Sequence, residues 1–267
     1  MKIIHRIGVG GQGPIRTELQ RLGYELKDGC GALHVEESDS RWPKVDELVK
    51  KYAKLDMVTT KFSPSEIASA KFLTLVPEWH HGYPQPDGGF AYEAVTYDGI
   101  AGCSDCGCLK RQIAPFRFKR EPKWGRRSIL QLNWVFDEYF VIPDVWEEVF
   151  RPLGIGALEV LHAKTEMPLK TVVQLDIPRE DVELHLPTYE FQQCDLCTTK
   201  KYLPISRGFF PSFTGKSNSA LFRSREFFGS GGSAFNEIFV TQSLCRAMRE
   251  RKLRGVRFKP VALGESL

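Results

Sequence analysis

The sequence predicts an α+β protein in which a small N-terminal α/β module precedes a pseudo-duplicated β-α-β domain. Three observations lead to this prediction. Strand and helix patterns alternate over the first 75 residues, two C-x-x-C pairs follow, and a six-residue segment recurs 99 positions later. We expect the first domain, with a linker, to span residues 1–99 and the second to span residues 100–267.

Length and composition are those of a globular chain. Of the 267 residues, 42% are hydrophobic and 26% are charged, which excludes wholesale disorder. No apolar run approaches the roughly 18 residues of a membrane span. The first residues lack the apolar core and cleavage site of a signal peptide. The sequence therefore predicts a cytoplasmic protein without a membrane partner.

Hydrophobic periodicity defines the elements of the first module. It predicts strands at residues 3–7, 32–35 and 57–62 and helices at residues 15–22 and 45–52. Ser63-Pro64-Ser65-Glu66 has the form of a capping box with proline at the first helical position, and predicts a helix to about residue 73. The proline- and glycine-containing stretch at 76–99 is expected to be a loop or linker.

A glycine run after the first strand has the outline of a dinucleotide site. Residues 8–13 fit G-x-G-x-x-G, and Glu36 follows at a suitable distance. However, the strand contains His5 and Arg6 where a buried parallel strand is apolar. The strand–helix series also stops too early for a doubly wound domain. We therefore expect the motif glycines (Gly8, Gly10, Gly13) to form a structural turn.

Two adjacent histidines, His80 and His81, lie in an aromatic part of this linker. Neighbouring imidazoles can bind metal or shuttle protons. No carboxylate or third ligand is spaced to complete such a site, so a role in packing or in contacting a partner is favoured.

The cysteine spacing predicts a metal site. The chain has seven cysteines, and an odd number without a signal peptide argues against a disulfide framework. Cys103 and Cys106 form one C-x-x-C turn, and Cys194 and Cys197 form a second. Two such turns supply the four thiolates of a closed, structural zinc site.

The other cysteines leave alternatives open. A single C-x-x-C pair can be a redox pair, and zinc is favoured because there are two pairs. Cys108 either replaces Cys106 as a ligand or is a spare thiol. Cys30 is expected to be structural or incidental, and Cys245 to be a core thiol on a helix face.

An internal repeat relates the two cysteine pairs. Residues 136–141 (FDEYFV) and 235–240 (FNEIFV) are identical at four of six positions, and each segment leads into a predicted helix. Each helix is expected to end toward a glycine at the same offset, Gly156 or Gly255, with a strand after it. A cysteine pair precedes each copy, so packing of the two copies would bring the pairs together on one metal ion. The alternative to an internal repeat is that two apolar strands, each leading into a helix, are similar by chance.

These motifs resemble the paralogous double-CxxCG family abundant in myxobacteria, over about residues 100–263. The resemblance rests on residues 103–107, residues 194–197 and the C-terminal stretch 238–261. Thr198 departs from the second CxxCG, which puts the geometry of that turn in question. Members are associated with toxin–immunity cassettes. The resemblance therefore implies an immunity protein that binds and blocks a toxin.

Charge is distributed in alternating blocks. The net charge is −2 over residues 1–99, +6 over 100–127, −9 over 128–197 and +10 over 198–259. Such blocks either complement one another within the fold or steer a partner. The basic segments 109–127 and 198–259 leave a nucleic-acid-binding zinc ribbon as the alternative function, although no RNA-binding aromatic signature or helix-turn-helix pattern is present.

The sequence predicts no catalytic residues. It contains no G-x-S-x-G and no P-loop. Asp137 and Glu138 are neighbours on a predicted strand and would point to opposite faces, while Glu147 and Glu148 are expected on the solvent side of a helix. We therefore expect a non-enzymatic protein that binds a protein partner, with a toxin as the favoured partner. An enzyme that uses the glycine run and one of the two histidines is a third interpretation.

Overall fold

The computed structural model describes residues 1–10, 13–27, 29, 31–53, 55–99 and 102–263, and the chain forms two compact units. The first comprises Met1–Glu66 with Ile205–Phe209, and the second comprises Ile67–Pro204 and Phe210–Leu267. The first unit thus ends at residue 66 along the chain, whereas the sequence predicts a boundary after residue 99. A strand at Phe72–Pro77 pairs with strands near the C-terminus, which places it within the second unit.

The first unit is a three-stranded sheet with two helices. Its elements are β1 (Lys2–Val9), α1 (Pro14–Arg21), β2 (Gly31–Glu36), α2 (Trp42–Tyr52) and β3 (Asp56–Lys61). The strand order is β2-β1-β3, and both pairings are antiparallel. Ile7 and Leu19 are fully buried in its core, as expected from the periodicity. The alternation of strands and helices is confirmed, but the sheet is antiparallel, unlike the parallel sheet of a doubly wound fold.

The predicted capping box opens α3 (Pro64–Ser69). The Glu66 backbone N–H donates to the Ser63 hydroxyl at 3.2 Å, and the Ser63 N–H donates to the Glu66 carboxylate at 2.7 Å. These two backbone N–H groups, which have no acceptor within the helix, are therefore both hydrogen-bonded. The helix ends earlier than predicted because the residues that follow form a strand.

The second unit contains most of the strands. They are β4 (Phe72–Pro77), β5 (Arg117–Phe118), β6 (Ile129–Leu132), β7 (Val135–Val141), β8 (Gly156–Leu158), β9 (Leu161–His162), β10 (Val173–Asp176), β11 (Glu183–Leu184), β12 (Phe191–Gln193), β13 (Lys200–Tyr202), β14 (Phe213–Thr214), β15 (Leu221–Phe228), β16 (Phe235–Thr241) and β17 (Val256–Pro260). The helices are α4 (Tyr92–Thr96), after a 3₁₀ turn at Gly88–Phe90, α5 (Pro143–Val145), continued by π and 3₁₀ turns to Leu153, and α6 (Gln242–Glu250).

Two sheets of the second unit share one strand arrangement. One sheet has the order β6-β7-β10-β8, and the larger sheet has the order β12-β13-β15-β16-β4-β17. The last four strands of the larger sheet match the smaller sheet, and every neighbouring pair in both arrays is antiparallel. In each array the third strand comes from elsewhere in the chain. Strand β4 precedes Cys103 along the chain but pairs with β16 and β17, which follow Cys197. Strand β10 precedes Cys194 but pairs with β7 and β8, which follow Cys106.

The repeated segments form the matching strands β7 and β16, and each leads into a helix. The Tyr139 hydroxyl is buried and donates to the Leu75 carbonyl at 2.9 Å, which joins β7 to β4. The glycine with positive φ after the first helical segment is Gly154 (φ 76°), whereas Gly156 lies in β8. Gly156 and Gly255 (φ 115°) both lie where the strand after the helical segment begins, at the first residue of β8 and immediately before β17.

Candidate metal centre

The first C-x-x-C turn is closed by two backbone hydrogen bonds. The Cys103 N–H donates to the Cys108 carbonyl at 2.9 Å, and the Gly107 N–H donates to the Cys103 carbonyl at 2.9 Å. Gly107 has φ 75°, the left-handed conformation that glycine adopts without steric cost. We call residues 103–108 the first knuckle.

The second turn, residues 194–199, repeats this pattern, and we call it the second knuckle. The Cys194 N–H donates to the Thr199 carbonyl at 3.1 Å, and the Thr198 N–H donates to the Cys194 carbonyl at 2.9 Å. Thr198 has φ 58° and therefore adopts the conformation that Gly107 adopts in the first knuckle. The missing glycine consequently leaves the turn geometry intact.

The four predicted cysteines meet in one cluster. The sulfur atoms of Cys103, Cys106, Cys194 and Cys197 all lie within 4.8 Å of one another. Cys103 Sγ lies 3.8 Å from Cys194 Sγ, and Cys106 Sγ lies 3.5 Å from Cys197 Sγ. Ligands about 2.3 Å from a tetrahedral zinc ion are separated by about 3.8 Å, so the cluster has the size of such a site. Three of the cysteines are buried and Cys197 is partly exposed.

The protonation of these thiols is uneven. Burial raises the pKa of the Cys106 thiol to about 12, whereas hydrogen bonds from Thr199 lower the pKa of Cys197 to about 6. Without a metal ion, the lowered pKa favours the thiolate of Cys197 and the raised pKa favours the protonated thiol of Cys106. A divalent cation would release the remaining protons, because the thiolate is the form that binds metal.

The remaining cysteines lie outside the cluster of four sulfur atoms. Cys108 is fully buried beside the cluster but does not belong to the four, so Cys106 is the member of the tetrad. Cys245 is fully buried in the core with Leu244 and Met248, as predicted. Cys30 lies outside the described residues.

A cleft of about 910 Å³ lies near the first knuckle in the second unit. Its floor is a buried network in which both guanidinium nitrogens Nη1 and Nη2 of Arg223 donate to Glu138 at 3.1 Å. Gln174 donates to the other oxygen of Glu138 at 2.9 Å. Burial raises the pKa of Glu138. Glu138 lies on a strand as predicted, but the expectation that Asp137 and Glu138 point to opposite faces is wrong, because both carboxylates lie beside Arg223 and line the cleft. Arg223, 85 positions from Glu138, left no signal in the sequence.

The opposite charge blocks meet inside the second unit. Arg223 pairs with Glu138, and Arg251 pairs with Glu148 at 3.0 Å, each joining block 198–259 to block 128–197. Lys201 and Lys259 are also buried. These ion pairs join the two blocks within the second unit, and the buried cations of the basic segment are unavailable to phosphate groups.

The two histidines of the linker contact neighbouring groups. The His81 ring lies 5.3 Å from the Phe118 ring, and its Nε2 lies 3.3 Å from the Arg120 carbonyl oxygen. Burial lowers the pKa of both His80 and His81. Among the described residues, the metal-competent cluster contains cysteines and neither of these histidines.

The glycine run can be placed only in part. Gly8 lies in β1 and Gly13 immediately precedes α1, whereas residues 11 and 12 lie outside the described part of the chain. Since β1 pairs antiparallel with both neighbours, its surroundings differ from the parallel β-α-β unit of a dinucleotide site.

Comparison with known proteins gives no match among family models, curated proteins or solved structures. The likeness to the double-CxxCG family thus rests on the motifs alone. In the described part of the chain, no helix is long and apolar enough to cross a membrane.

Proposed function

We propose that the chain is a non-enzymatic binding protein in which one zinc ion joins two segments of the second unit. Cys103, Cys106, Cys194 and Cys197 would hold the ion. The observation that carries this proposal is that the four sulfur atoms lie at tetrahedral spacing although 87 residues separate the two pairs. Such a site contributes its binding free energy to folding and offers no open position for a substrate.

The two cysteine-bearing segments are proposed to be copies of one ancestral unit. This proposal is supported by three contacts in which a residue of one segment meets the residue at the equivalent position of the other segment. Cys103 meets Cys194, the Phe136 ring lies 5.6 Å from the Phe235 ring, and the N–H of residue 236 donates to the carboxylate of residue 137 at 3.0 Å. Contacts between equivalent positions are expected for two copies related by a two-fold axis.

The proposal of a non-enzymatic role is supported by the use of the cleft carboxylates. Glu138 accepts hydrogen bonds at both oxygens, from Arg223 and Gln174. A carboxylate held in this way is a structural partner of the guanidinium rather than a free base. A substrate turned over by the purified protein, with no partner present, would overturn this part of the proposal.

The proposed partner is a protein toxin, as the double-CxxCG resemblance implies, and the proposed docking face is the acidic segment 128–197. Glu147 and Glu148 support this choice, because both are exposed on the helical segment after β7, although they also form surface ion pairs with Arg151 and Arg251. Toxins that cleave nucleic acids need basic clefts for phosphate groups. An acidic surface would accelerate association with such a cleft.

The test uses the protein encoded beside this gene as the candidate toxin. We expect it to bind the purified chain, and the double variant Glu147→Lys/Glu148→Lys to slow association about tenfold at low salt. Glu250→Lys is the control, since this residue is exposed but lies outside the acidic segment. Equal association rates for both variants contradict the docking face. Tight, steeply salt-dependent binding of nucleic acid instead favours the alternative function.

A further inference from the structure

Lys201 is a buried lysine beside the cysteine cluster. It lies on β13, four positions after Cys197, and only 3% of its surface is exposed. Its ammonium group donates to the backbone carbonyls of Cys106 at 2.9 Å and Ser233 at 3.1 Å, and also to that of Gly231. All three N–H groups of the ammonium are therefore used, and every acceptor is an uncharged carbonyl.

Other buried cations of the second unit lie beside a carboxylate. Arg223 pairs with Glu138 at 3.1 Å, and Lys259 is attracted electrostatically by Glu237. Lys201 forms no ion pair with a carboxylate of the described residues. Burial of an ammonium without a counter-charge is strongly unfavourable. The neighbouring groups that can supply negative charge are the sulfur cluster and Asp105, which accepts a hydrogen bond from the Cys194 thiol at 3.4 Å and lines the same cavity as Lys201 without pairing with it.

We infer that Lys201 is the electrostatic partner of a tetrathiolate–metal centre. Four thiolates around one divalent ion carry a net charge of about −2, which is the counter-charge that Lys201 lacks. Protonated thiols are uncharged and would supply little of this negative charge. The inference rests on the proposed zinc site and deepens it, because it assigns a positioning residue outside the set of ligands.

The same lysine joins the centre to a glycine-rich loop at residues 229–234. A side-chain carbon at Gly107 would lie 2.3 Å from the Gly232 carbonyl oxygen, so the first knuckle packs directly against this loop. Lys201 donates to two carbonyls of the loop and to one of the knuckle. Metal binding is therefore expected to order the loop through Lys201.

The test compares three variants of the full-length protein. Lys201→Met removes the charge and the donors, while Lys201→Gln removes the charge but keeps N–H donors. Zinc affinity, measured by competition with a chromophoric chelator, should fall about 10- to 100-fold in both. Lys259→Met is the matched control, since Lys259 is also a buried lysine but lies beside Glu237, and it should leave zinc affinity unchanged.

Urea unfolding with and without zinc distinguishes the electrostatic role of Lys201 from its role in packing. We expect Lys201→Met to destabilise the zinc-loaded protein more than the metal-free protein, whose sulfur cluster carries less negative charge. Wild-type zinc affinity in this variant, or its restoration in Lys201→Gln, would overturn the inference while the zinc site stands. A wild-type protein that binds no zinc overturns the proposed site and, with it, the role of Lys201.

Discussion

The first and second knuckles have the same backbone hydrogen bonds but different surroundings. Gly107 is buried, and a side chain there would collide with the backbone of Gly232. Thr198 occupies the equivalent position in the second knuckle but is exposed. The comparison separates two reasons for a glycine after C-x-x-C. Positive φ is needed in both turns, whereas close packing requires glycine only in the first.

Loss of a ligand from either knuckle is expected to have the largest effect. Cys106→Ser and Cys197→Ser should both abolish tight zinc binding, because a tetrathiolate site needs ligands from each turn. Structural zinc sites contribute about 10 kcal/mol or more of binding free energy, so both variants should also unfold at lower temperature. Elemental analysis and thermal unfolding measure these effects.

Cys108→Ser is the matched control for this experiment. Cys108 is buried beside the cluster but is not one of its four members, so the variant should retain one zinc ion per chain. Loss of zinc from this variant together with its retention in Cys106→Ser would identify Cys108 as the ligand.

The motif-based part of the site was predictable, because each knuckle is a local structure whose ligands lie three positions apart. The repeat also indicated that the two pairs would meet. The pairing of β4 with β16 and β17 was not predictable, since pairing between distant strands leaves no local pattern. For the same reason the sequence places Lys201 within a basic block and gives no sign that this lysine is buried.

Gly107→Ala should destabilise the protein by about 3 kcal/mol or more. The added methyl group would lie 2.3 Å from the Gly232 carbonyl oxygen, in a backbone conformation with φ 75°. Thr198→Ala provides the comparison in the second knuckle, where the change should be within about 1 kcal/mol because the residue is exposed and already has a side chain. Urea unfolding of the zinc-loaded proteins measures both. Equal losses would show that packing does not distinguish the knuckles.

Glu237, on strand β16, is expected to make the stability of the folded protein depend on pH. Burial raises the pKa of Glu237, the counterpart of Glu138, to about 7. The folded protein then binds a proton that the unfolded chain has lost, so stability should fall as the pH rises from about 4.5 to about 7. The loss is on the order of 3 kcal/mol. Glu237→Gln should remove this part of the pH profile, and an unchanged profile would exclude Glu237 as its source.

Thr198→Gly should give the smallest effect and the opposite sign. A β-branched residue at φ 58° is strained, and glycine relieves this strain at a smaller cost in unfolded-state entropy. We expect a gain of about 1 kcal/mol by urea unfolding of the zinc-loaded protein. A loss of stability would mean that the Thr198 hydroxyl, which donates to the Cys197 carbonyl at 2.7 Å, outweighs the strain.

The central claim is that one metal ion joins the two knuckles, and the most direct test is elemental analysis of natively purified protein combined with its thermal unfolding before and after chelation. We expect about one zinc ion per chain, and a marked fall in the unfolding temperature when the ion is removed. Protein that contains no metal and unfolds at the same temperature with or without chelator would contradict the claim.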